Sequence, residues 1–347
     1  MRRVAERRRL DCRDPIILVR GLRVNFYTYA GVVKAIDGVS FCIERGETYC
    51  LVGETGCGKS VTSRALTRLI KPPGRIEGGE IIYYPEPGKP VNIMELGEEE
   101  LQRIRGREIA YVFQDPGAAL DPLYTVGYQV SETMLVHGII RRIKDGFQRA
   151  VELLRKTLIT DPEKRVRSYP HELSGGMKQR SVISISLSTK PKLLVADEPT
   201  TALDTTVQAE IMDLLRRLKK EEGLTLLLIT HNMGLVAEMC DRVAVMYAGQ
   251  IVEEAPVDEI FKNPLHPYTR ALLRAIPDPS RSVEKLESIP GTVPNLVNPP
   301  PGCRFHPRCP EAMPVCTRRP PVLRMGDRHY VACWLYAGKG RSGGGGA

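Results

Sequence analysis

The chain has 347 residues, of which 42% are hydrophobic, 26% charged and 6% aromatic, the composition of a globular protein with room for one large domain and a smaller appendage. Its strongest apolar run, residues 224–229, is strand-sized and far short of the roughly 20 residues of a membrane-spanning helix, so we expect other chains to supply any membrane spans. No apolar segment follows the Arg-rich N-terminus, so no signal peptide is predicted. The net charge of +9 comes from the two ends, residues 1–13 and 317–347, which argues against a central nucleic-acid surface and favours solvated tails or tails lying against anionic lipid.

The first 90 residues are rich in predicted strands. Runs of β-branched and aromatic residues separated by Gly-containing turns predict strands over residues 16–19, 22–26, 39–43 and 49–52. A glycine-rich loop follows and leads into a predicted helix over residues 59–69, after which residues 74–90 are predicted to be rich in turns.

The middle of the chain alternates between helical and strand patterns. Residues 129–160 have helical periodicity, and residues 192–196, 224–229 and 242–247 are predicted buried strands. Between them, one apolar face predicts an amphipathic helix that ends at Gly223. This alternation indicates an α/β core. After about residue 264 proline becomes frequent, and the glycine run at residues 343–346 predicts disorder.

A glycine-rich loop between a predicted strand and a predicted helix matches the phosphate-binding pattern GxxxxGK[ST]. Its glycines allow backbone N–H groups to converge on phosphate oxygens, which a Cβ would obstruct, and the start of the helix adds partial positive charge. Lys59 would reach the β- and γ-phosphates of ATP, and the Ser60 hydroxyl would bind Mg²⁺. The candidate nucleotide-binding residues are Gly53, Glu54, Thr55, Gly56, Cys57, Gly58, Lys59, Ser60 and Val61.

A second candidate element is an apolar strand that ends in two carboxylates, Asp197 and Glu198. A buried strand delivers its last side chains to the crevice at the carboxyl edge of a sheet, where nucleotides bind in α/β proteins. Asp197 would hold Mg²⁺, and Glu198 would accept a proton from the attacking water. Because the same pair could cap a helix, this interpretation depends on the phosphate-binding loop upstream.

Residues 173–180, LSGGMKQR, distinguish among the many nucleoside triphosphatases that share those two elements. Ser174, Gly175 and Gly176 open a predicted helix, where a hydroxyl, unobstructed amides and the helix dipole form a second anion site. The segment resembles the LSGGQ-type signature of ABC ATPases, with Met177 in place of the commoner Gln. In that family the signature contacts ATP held by the opposite cassette, which implies a head-to-tail dimer.

Further family elements appear in the expected order. Gln114 resembles the Q-loop glutamine, residues 202–204 resemble the D-loop, and His231 resembles the switch histidine that contacts the γ-phosphate. The resemblance implies catalytic roles for Glu198, His231 and Gln114, and a nucleotide contact from Asp204. It assigns Mg²⁺ to Ser60, Gln114 and Asp197.

The family also has an aromatic side chain that stacks on adenine, located before the phosphate-binding loop. Counted along the predicted N-terminal strands, Phe26 is favoured, with Tyr27 and Tyr29 as alternatives. Strand packing would explain an aromatic residue at these positions equally well.

Three segments resemble one branch of the family, the oligopeptide, dipeptide and nickel importers: residues 113–129, 196–210 and 263–273. The resemblance spans residues 16–335 and is closer to the D-type than the F-type ATPase of the heterodimeric pair. It implies ATP hydrolysis that drives uptake of oligopeptides or dipeptides, with oligosaccharides or nickel as alternatives. The implied partners are a second ABC ATPase subunit, two transmembrane permease subunits and, indirectly, an extracellular solute-binding protein, but no nucleic acid. The chain would lie peripherally at the cytoplasmic face of the membrane, with residues 115–123 facing the permeases.

The implied fold is α/β: an ABC-type P-loop NTPase cassette with a RecA-like core, an antiparallel β subdomain and an α-helical subdomain, followed by a small Cys-containing C-terminal extension. The expected boundaries are a basic tail over residues 1–14, the nucleotide-binding domain over 15–264 with its helical subdomain at about 115–180, the extension over 265–336, and a disordered tail over 337–347.

The nine cysteines fall into two groups. Cys12, Cys42, Cys50, Cys57 and Cys240 are scattered, as expected of reduced thiols. Four others lie together in the proline-rich region, and four clustered thiolates suit either a tetrahedral zinc or an iron–sulfur cluster. These four are Cys303, Cys309, Cys316 and Cys333.

The absence of CxxC pairs weakens the zinc interpretation of this four-cysteine group. Residues 301–310 resemble D-type importer subunits, several of which carry a [4Fe–4S] cluster, and this implies a structural cluster here. Zinc, and unligated or disulfide-bonded cysteines, are the alternatives. His306 and His329 could substitute as ligands, although surface roles are favoured.

Two other classes of protein compete with a transporter motor. Soluble ABC ATPases that act on nucleic acid or ribosomes have two cassettes or a long coiled-coil insertion. This chain has one cassette and only about 60 residues between Gln114 and Ser174. A scaffold that binds nucleotide without turnover would not need Glu198.

Overall fold

The computed structural model describes residues 10, 12–201, 203–275 and 289–338. It divides into two compact units: a first unit of Met1–Glu95 with Ile229–Ala347, and a second unit of Leu96–Leu228. Most of the predicted basic tail and all but residues 337 and 338 of the predicted disordered tail lie outside the described residues, as does Ala202 of the D-loop segment.

The N-terminal part of the first unit contains an antiparallel sheet with the strand order β2-β1-β4-β5. β1 pairs with both β2 and β4, and each pairing includes register shifts typical of β-bulges. The predicted strands of this region are confirmed, although the first two form one continuous strand. The elements are β1 (Pro15–Thr28), β2 (Gly31–Glu44), β3 (Thr48–Val52), α1 (Lys59–Ala65), β4 (Gly74–Glu86) and β5 (Lys89–Asn92).

The prediction of turns over residues 74–90 is wrong, because β4 and β5 occupy this segment. Ile81 and Tyr83 alternate onto the buried face of β4, 0% and 1% exposed. The glycines that suggested turns allow close strand approach instead: a Cβ on Gly79, which has φ of +104°, would lie 2.6 Å from the Cα of Leu22.

The second unit contains most of the helices. β6 and β7 pair in parallel, with β8 next to β7. The predicted periodic segment 129–160 is two helices, because Gly138 adopts a left-handed conformation between them. The elements are α2 (Glu98–Ile104), β6 (Ile109–Val112), α3 (Pro116–Ala119), α4 (Val126–Val136), α5 (Ile143–Lys156), α6 (Pro162–Arg165), α7 (Gly175–Leu187), β7 (Leu193–Asp197), α8 (Thr205–Glu222) and β8 (Thr225–Thr230).

The C-terminal part of the chain returns to the first unit. There β3 pairs in parallel with β9, β9 is antiparallel to β10, and the two last strands extend the sheet in the order β11-β12-β10. The region after residue 264 therefore gains backbone pairing from the cassette's own sheet. The elements are α9 (Met233–Met239), β9 (Arg242–Tyr247), β10 (Gln250–Pro256), α10 (Val257–Lys262), α11 (Pro267–Arg274), β11 (Val322–Gly326) and β12 (His329–Ala332).

The predicted amphipathic helix is confirmed as α8, which buries Ile211, Leu214, Leu215 and Leu218. Gly223 ends the helix in a left-handed conformation with φ of +63°, as a C-cap glycine should. The part of the chain that the structure describes contains no helix with the length and apolarity needed to cross a bilayer.

Leu154→Ala should lower the free energy of unfolding by about 2–5 kcal/mol, because Leu154 is fully buried in the apolar cluster formed by α4, α5 and their neighbours. Chemical denaturation would measure the change. Leu123→Ala is the matched control, since Leu123 is 78% exposed and its truncation should cost no more than about 0.5 kcal/mol. Equal losses in the two variants would contradict the assignment of this core.

One expectation about the scattered cysteines is wrong. Cys12 and Cys42 are joined by a disulfide, with Cα atoms 6.4 Å apart. No sequence pattern indicates this pair, because the partners are 30 residues apart and approach only when the segment before β1 lies beside β2. Cys50, Cys57 and Cys240 are free and buried.

Candidate functional site

The phosphate-binding loop, residues 53–60, connects β3 to α1 in the first unit. Two of its glycines are required sterically: a Cβ on Gly53 would lie 2.2 Å from the carbonyl oxygen of Met246, and one on Gly58, with φ of +102°, would lie 2.7 Å from Ile36 Cδ1. The Cys57 carbonyl accepts a hydrogen bond from the Gly249 N–H at 2.8 Å. The loop is thus packed tightly against Ile36 and residues 246–249.

Lys59 is folded into this loop and only 5% exposed. Its Nζ donates to the carbonyl oxygens of Gly53 at 2.8 Å and Glu54 at 3.1 Å. The ammonium group is thereby held within the loop whose amides would bind phosphate. Burial raises the pKa of the Cys57 thiol, so this cysteine is a neutral filler in the loop, as expected.

The two carboxylates at the end of β7 lie in different environments. Asp197 is 3% exposed, whereas Glu198 is half-buried and adopts φ of +47°, a left-handed conformation that costs a non-glycine residue about 1–2 kcal/mol. Strain of this kind is found at functional sites, where the surrounding structure over-determines the backbone. A buried carboxylate followed by a half-buried one suits a cation ligand followed by a base that reaches water.

The structure brings Gln114 and Glu198 together, although 84 residues separate them: Gln114 Nε2 donates to Glu198 Oε2 at 3.1 Å. The Thr201 hydroxyl donates to the same oxygen at 3.1 Å. Sequence reasoning missed Thr201. The available signal was a hydroxyl three residues after Glu198. That hydroxyl can reach the Glu198 carboxylate because the Thr201 N–H donates to the Glu198 carbonyl at 3.1 Å and closes a turn.

The signature segment begins α7 in the second unit. Ser174 caps the helix, accepting from the Met177 N–H at 3.3 Å, and both Ser174 and Gly175 are exposed. A Cβ on Gly176 would lie 2.8 Å from Val207 Cγ1, so this glycine permits α7 to approach α8. Met177 packs against the apolar cluster of α4 and α5, which accounts for methionine in place of glutamine.

An arginine anchors the signature helix further along. Arg180 donates from Nη1 to the Thr157 carbonyl at 3.0 Å and from Nη2 to Glu210 at 2.6 Å. Its side chain is 9% exposed. The helix that begins with the exposed signature residues is therefore held by a nearly buried arginine, whose partner Glu210 is 55% exposed.

The remaining family residues occupy less distinctive positions. Asp204 caps α8 by accepting from the Val207 N–H at 3.0 Å, the capping role that its position also allowed. His231 directly follows β8 and is exposed, so it is not a core histidine. Gln114, Ser174, Asp197, Glu198 and Asp204 belong to the second unit, and the phosphate-binding loop and His231 to the first.

The candidate aromatic residues near the end of β1 differ in exposure. Phe26 is half-buried, Tyr29 is fully exposed, and Tyr27 donates a hydrogen bond to Glu77 at 2.8 Å. The guanidinium of Arg75 also lies 5.3 Å from the centre of the Tyr27 ring. Adenine stacking by Phe26 stays a prediction.

The four C-terminal cysteines line one cavity together with His306. Burial raises the pKa of the Cys303 and Cys333 thiols to about 11, and repulsion from the neighbouring thiolates acts in the same direction. Among the described residues, however, no group of three or more His, Cys, Asp or Glu side chains is arranged to hold a metal ion. Four sulfur donors around one cavity are the type of ligand that a soft metal or an iron–sulfur cluster prefers. Their arrangement does not define a coordination geometry.

The surface role expected for His329 is wrong. The residue is 4% exposed, and its Nε2 is hydrogen-bonded to Glu253 Oε1 at 2.8 Å. The other oxygen of Glu253 accepts from the His266 N–H at 2.9 Å. This histidine joins β12 to β10 and the start of α11, which explains its burial.

Two family models match successive parts of the chain: the ABC transporter model matches residues 36–201, and the model for the C-terminal region of oligopeptide/dipeptide transporters matches residues 252–316. The oligopeptide transport ATP-binding protein OppD of Bacillus subtilis is 49% identical over 323 residues, covering 92% of this chain and 88% of that protein. The probable peptide ABC transporter ATP-binding protein y4tR of Sinorhizobium fredii is 46% identical over 324 residues, covering 92% and 95%.

Among solved structures, the dimeric ATP-binding cassette MJ0796 bound to ADP and phosphate superimposes with a TM-score of 0.61 at 26% identity, covering 70% of this chain and 98% of that one. Fold and loops together define an ATP-hydrolysing cassette, and the predicted α/β cassette fold is confirmed. The chain belongs to the ABC transporter ATP-binding proteins, in the branch with the oligopeptide/dipeptide transporter C-terminal region.

Proposed function

We propose that this chain is one of two ATPase subunits that power an ABC importer of oligopeptides or dipeptides from the cytoplasmic face of the membrane. The observation that carries this proposal is the C-terminal region: residues 252–316 match the oligopeptide/dipeptide transporter region in addition to the cassette. Relatives named as oligopeptide and dipeptide transport ATP-binding proteins, 49% and 45% identical, support the same substrate class.

In this proposal the residues of the phosphate-binding loop hold ATP, and the catalytic groups are Glu198, Gln114 and His231. Lys59 binds the phosphates, while Ser60, Gln114 and Asp197 would hold Mg²⁺, which when bound neutralises phosphate charge. Glu198 accepts the proton of the attacking water, and Gln114 and Thr201 orient its carboxylate through their hydrogen bonds to Oε2. His231 contacts the γ-phosphate, Asp204 contacts nucleotide across the dimer, and Phe26 stacks on adenine.

The proposed assembly is a heterodimer of ATPases in which the signature residues Ser174, Gly175 and Gly176 face ATP bound by the partner ATPase. Ser174 and Gly175 are exposed, so the amides at the start of α7 are open to a phosphate group of bound ATP. Two permease subunits would provide the transmembrane path, and an extracellular binding protein would deliver the peptide. No observation favours a nucleic-acid partner.

The direct test is co-expression of this chain with candidate partner ATPases and permeases, followed by reconstitution in liposomes. We expect ATP hydrolysis that rises when a peptide-loaded binding protein is added outside. Recovery of the chain with RNA or ribosomes, and not with membrane subunits, would contradict the proposal.

The proposed permease contact lies at residues 115–123 and their flanks. Large apolar side chains are exposed there: Leu123 is 78%, Tyr124 44% and Phe113 38% exposed. Leu123→Glu should reduce co-purification with the permeases by about tenfold or more, because it places a charge in an apolar contact. Val136→Glu is the control, since Val136 is 73% exposed in the same unit but outside this segment. Equal recovery of permeases with both variants would exclude residues 115–123 as the contact.

We also propose that Cys303, Cys309, Cys316 and Cys333 hold a structural [4Fe–4S] cluster, with zinc as the alternative. Their convergence on one cavity supports a shared ligand, and the local apolar cluster is small, with Leu323, Val331 and Cys333 as its buried members. Anaerobically purified protein should absorb in the visible range and contain iron and acid-labile sulfide. A colourless protein with stoichiometric zinc would favour the alternative, and one without either metal would contradict both.

A further inference from the structure

An arginine from the C-terminal region reaches the phosphate-binding loop across 254 positions of sequence. Arg308 forms a two-pronged ion pair with Glu54, the second residue of the loop: Nη1 donates to Oε2 at 2.8 Å and Nη2 donates to Oε1 at 3.1 Å. The Arg308 side chain is 6% exposed and that of Glu54 26%. Both residues belong to the first unit, so this contact lies within one compact body.

All the donors of the guanidinium are used. Besides the two bonds to Glu54, Nη1 donates to the Tyr247 hydroxyl at 3.2 Å, Nη2 to the Ile289 carbonyl at 3.2 Å and Nε to the Pro290 carbonyl at 2.7 Å. Arginine differs from lysine in having a planar guanidinium group with five N–H donors in fixed directions. The site is therefore built for arginine, and a flexible surface ion pair would not have this set of partners.

The backbone of Glu54 is held from the same side. Its N–H donates to the hydroxyl of Tyr268 at 2.9 Å. Tyr268 is fully buried in an aromatic cluster, with ring centres 4.7 Å from Tyr247 and 5.3 Å from Phe305. Burial raises the pKa of Tyr268, so its hydroxyl stays neutral. Side chain and main chain of one loop residue are thus fixed by the region after residue 264.

Glu54 is also in contact with the lysine that would bind phosphate. The Glu54 carbonyl accepts a hydrogen bond from Lys59 Nζ at 3.1 Å, alongside the Gly53 carbonyl at 2.8 Å. A shift of Glu54 would move an acceptor of Lys59 and the amides next to it. The position of Glu54 is therefore coupled to the geometry of phosphate binding.

We propose that Arg308 is a positioning residue for ATP binding: through Glu54 it holds the phosphate-binding loop in the shape that receives the phosphates, and Tyr268 supports it. Arg308 lies in the short turn His306–Arg308, between Cys303 and Cys309, so the cysteine-bearing region acts as a buttress for the loop. This inference concerns ATP binding by the chain itself and requires neither a permease nor a particular transported solute.

The test measures Mg·ATP affinity of the full-length chain by calorimetry, together with KM and kcat for hydrolysis. Arg308→Met should weaken Mg·ATP binding and raise KM by about tenfold, while kcat at saturating ATP changes by less than about threefold, because the reacting groups are untouched. Arg308→Lys should recover less than half of the lost binding free energy, since an ammonium cannot form the two-pronged contact.

Arg270→Met is the matched control. Arg270 pairs with Glu311 at 2.6 Å in the same region and, within the described part of the chain, makes no bond to the loop, so its removal should leave Mg·ATP affinity within twofold. A similar loss in both variants would show a general structural effect and overturn the proposal.

A double-mutant cycle with Glu54→Gln keeps the proposal testable if Arg308→Met fails to fold, because Glu54→Gln weakens the same contact from the loop side. Among the variants that fold, the double variant should bind Mg·ATP no more weakly than the weaker-binding of the two single variants. Additive losses, or Mg·ATP affinity within twofold of the parent for Glu54→Gln, would overturn the assignment.

Discussion

Glu198→Gln is expected to lower the rate of ATP hydrolysis by at least about 100-fold while Mg·ATP binding persists, because the amide keeps the shape of the side chain but cannot accept a proton from water. The structure supports this role through position. Glu198 follows the buried Asp197 at the end of β7, adopts a left-handed backbone conformation, and has its carboxylate oxygen fixed by Gln114 and Thr201. Phosphate release and Mg·ATP binding, measured on the same preparation, separate the two effects.

The control for this prediction is Glu221→Gln, which makes the same chemical change on α8. Glu221 is 48% exposed and pairs with Arg217 at 3.7 Å, so hydrolysis should stay close to that of the parent. If Glu198→Gln retained more than about a tenth of the parent rate, general-base catalysis by Glu198 would have to be abandoned.

The sequence alone was sufficient for the elements whose signal is local. The phosphate-binding loop, the strand before Asp197 and the amphipathic face of α8 each occupy a short window, and all three are where the pattern predicted them. The same applies to Gly223, because only a glycine-like conformation ends that helix. Local chemistry and fold agree in these segments.

What the sequence could not predict depends on distant partners. Considered alone, the glycines of residues 74–90 predict turns, but pairing with β1 makes the segment a strand. The Thr201 hydroxyl becomes significant only because Glu198 adopts a left-handed backbone conformation. The contact between Arg308 and Glu54 is the extreme case, since no periodicity or spacing connects two residues 254 positions apart. Sequence patterns predict the candidate reacting groups, whereas the residues that position them required the fold.

Lys59→Met should weaken Mg·ATP binding by about 100-fold or more, equivalent to roughly 3 kcal/mol, and reduce hydrolysis in parallel at limiting ATP. Methionine retains much of the length and apolar stem of lysine but removes the charge that would lie against the phosphates. In the structure this charge is already located in the loop, where Nζ bonds to the carbonyls of Gly53 and Glu54. Since the ammonium is confined before nucleotide arrives, little side-chain entropy remains to be lost on binding.

Equilibrium binding of Mg·ATP, with thermal unfolding as a check on the fold, measures this effect. Lys71→Met is the matched control, because Lys71 is exposed in the same unit and outside the loop, so its affinity should match the parent. The comparison also separates Lys59 from Arg308: loss of Lys59 removes a direct phosphate contact, and loss of Arg308 only loosens the loop, so the first variant should bind at least several-fold more weakly than the second. The reverse order would mean that the buttress, and not the lysine, dominates nucleotide affinity.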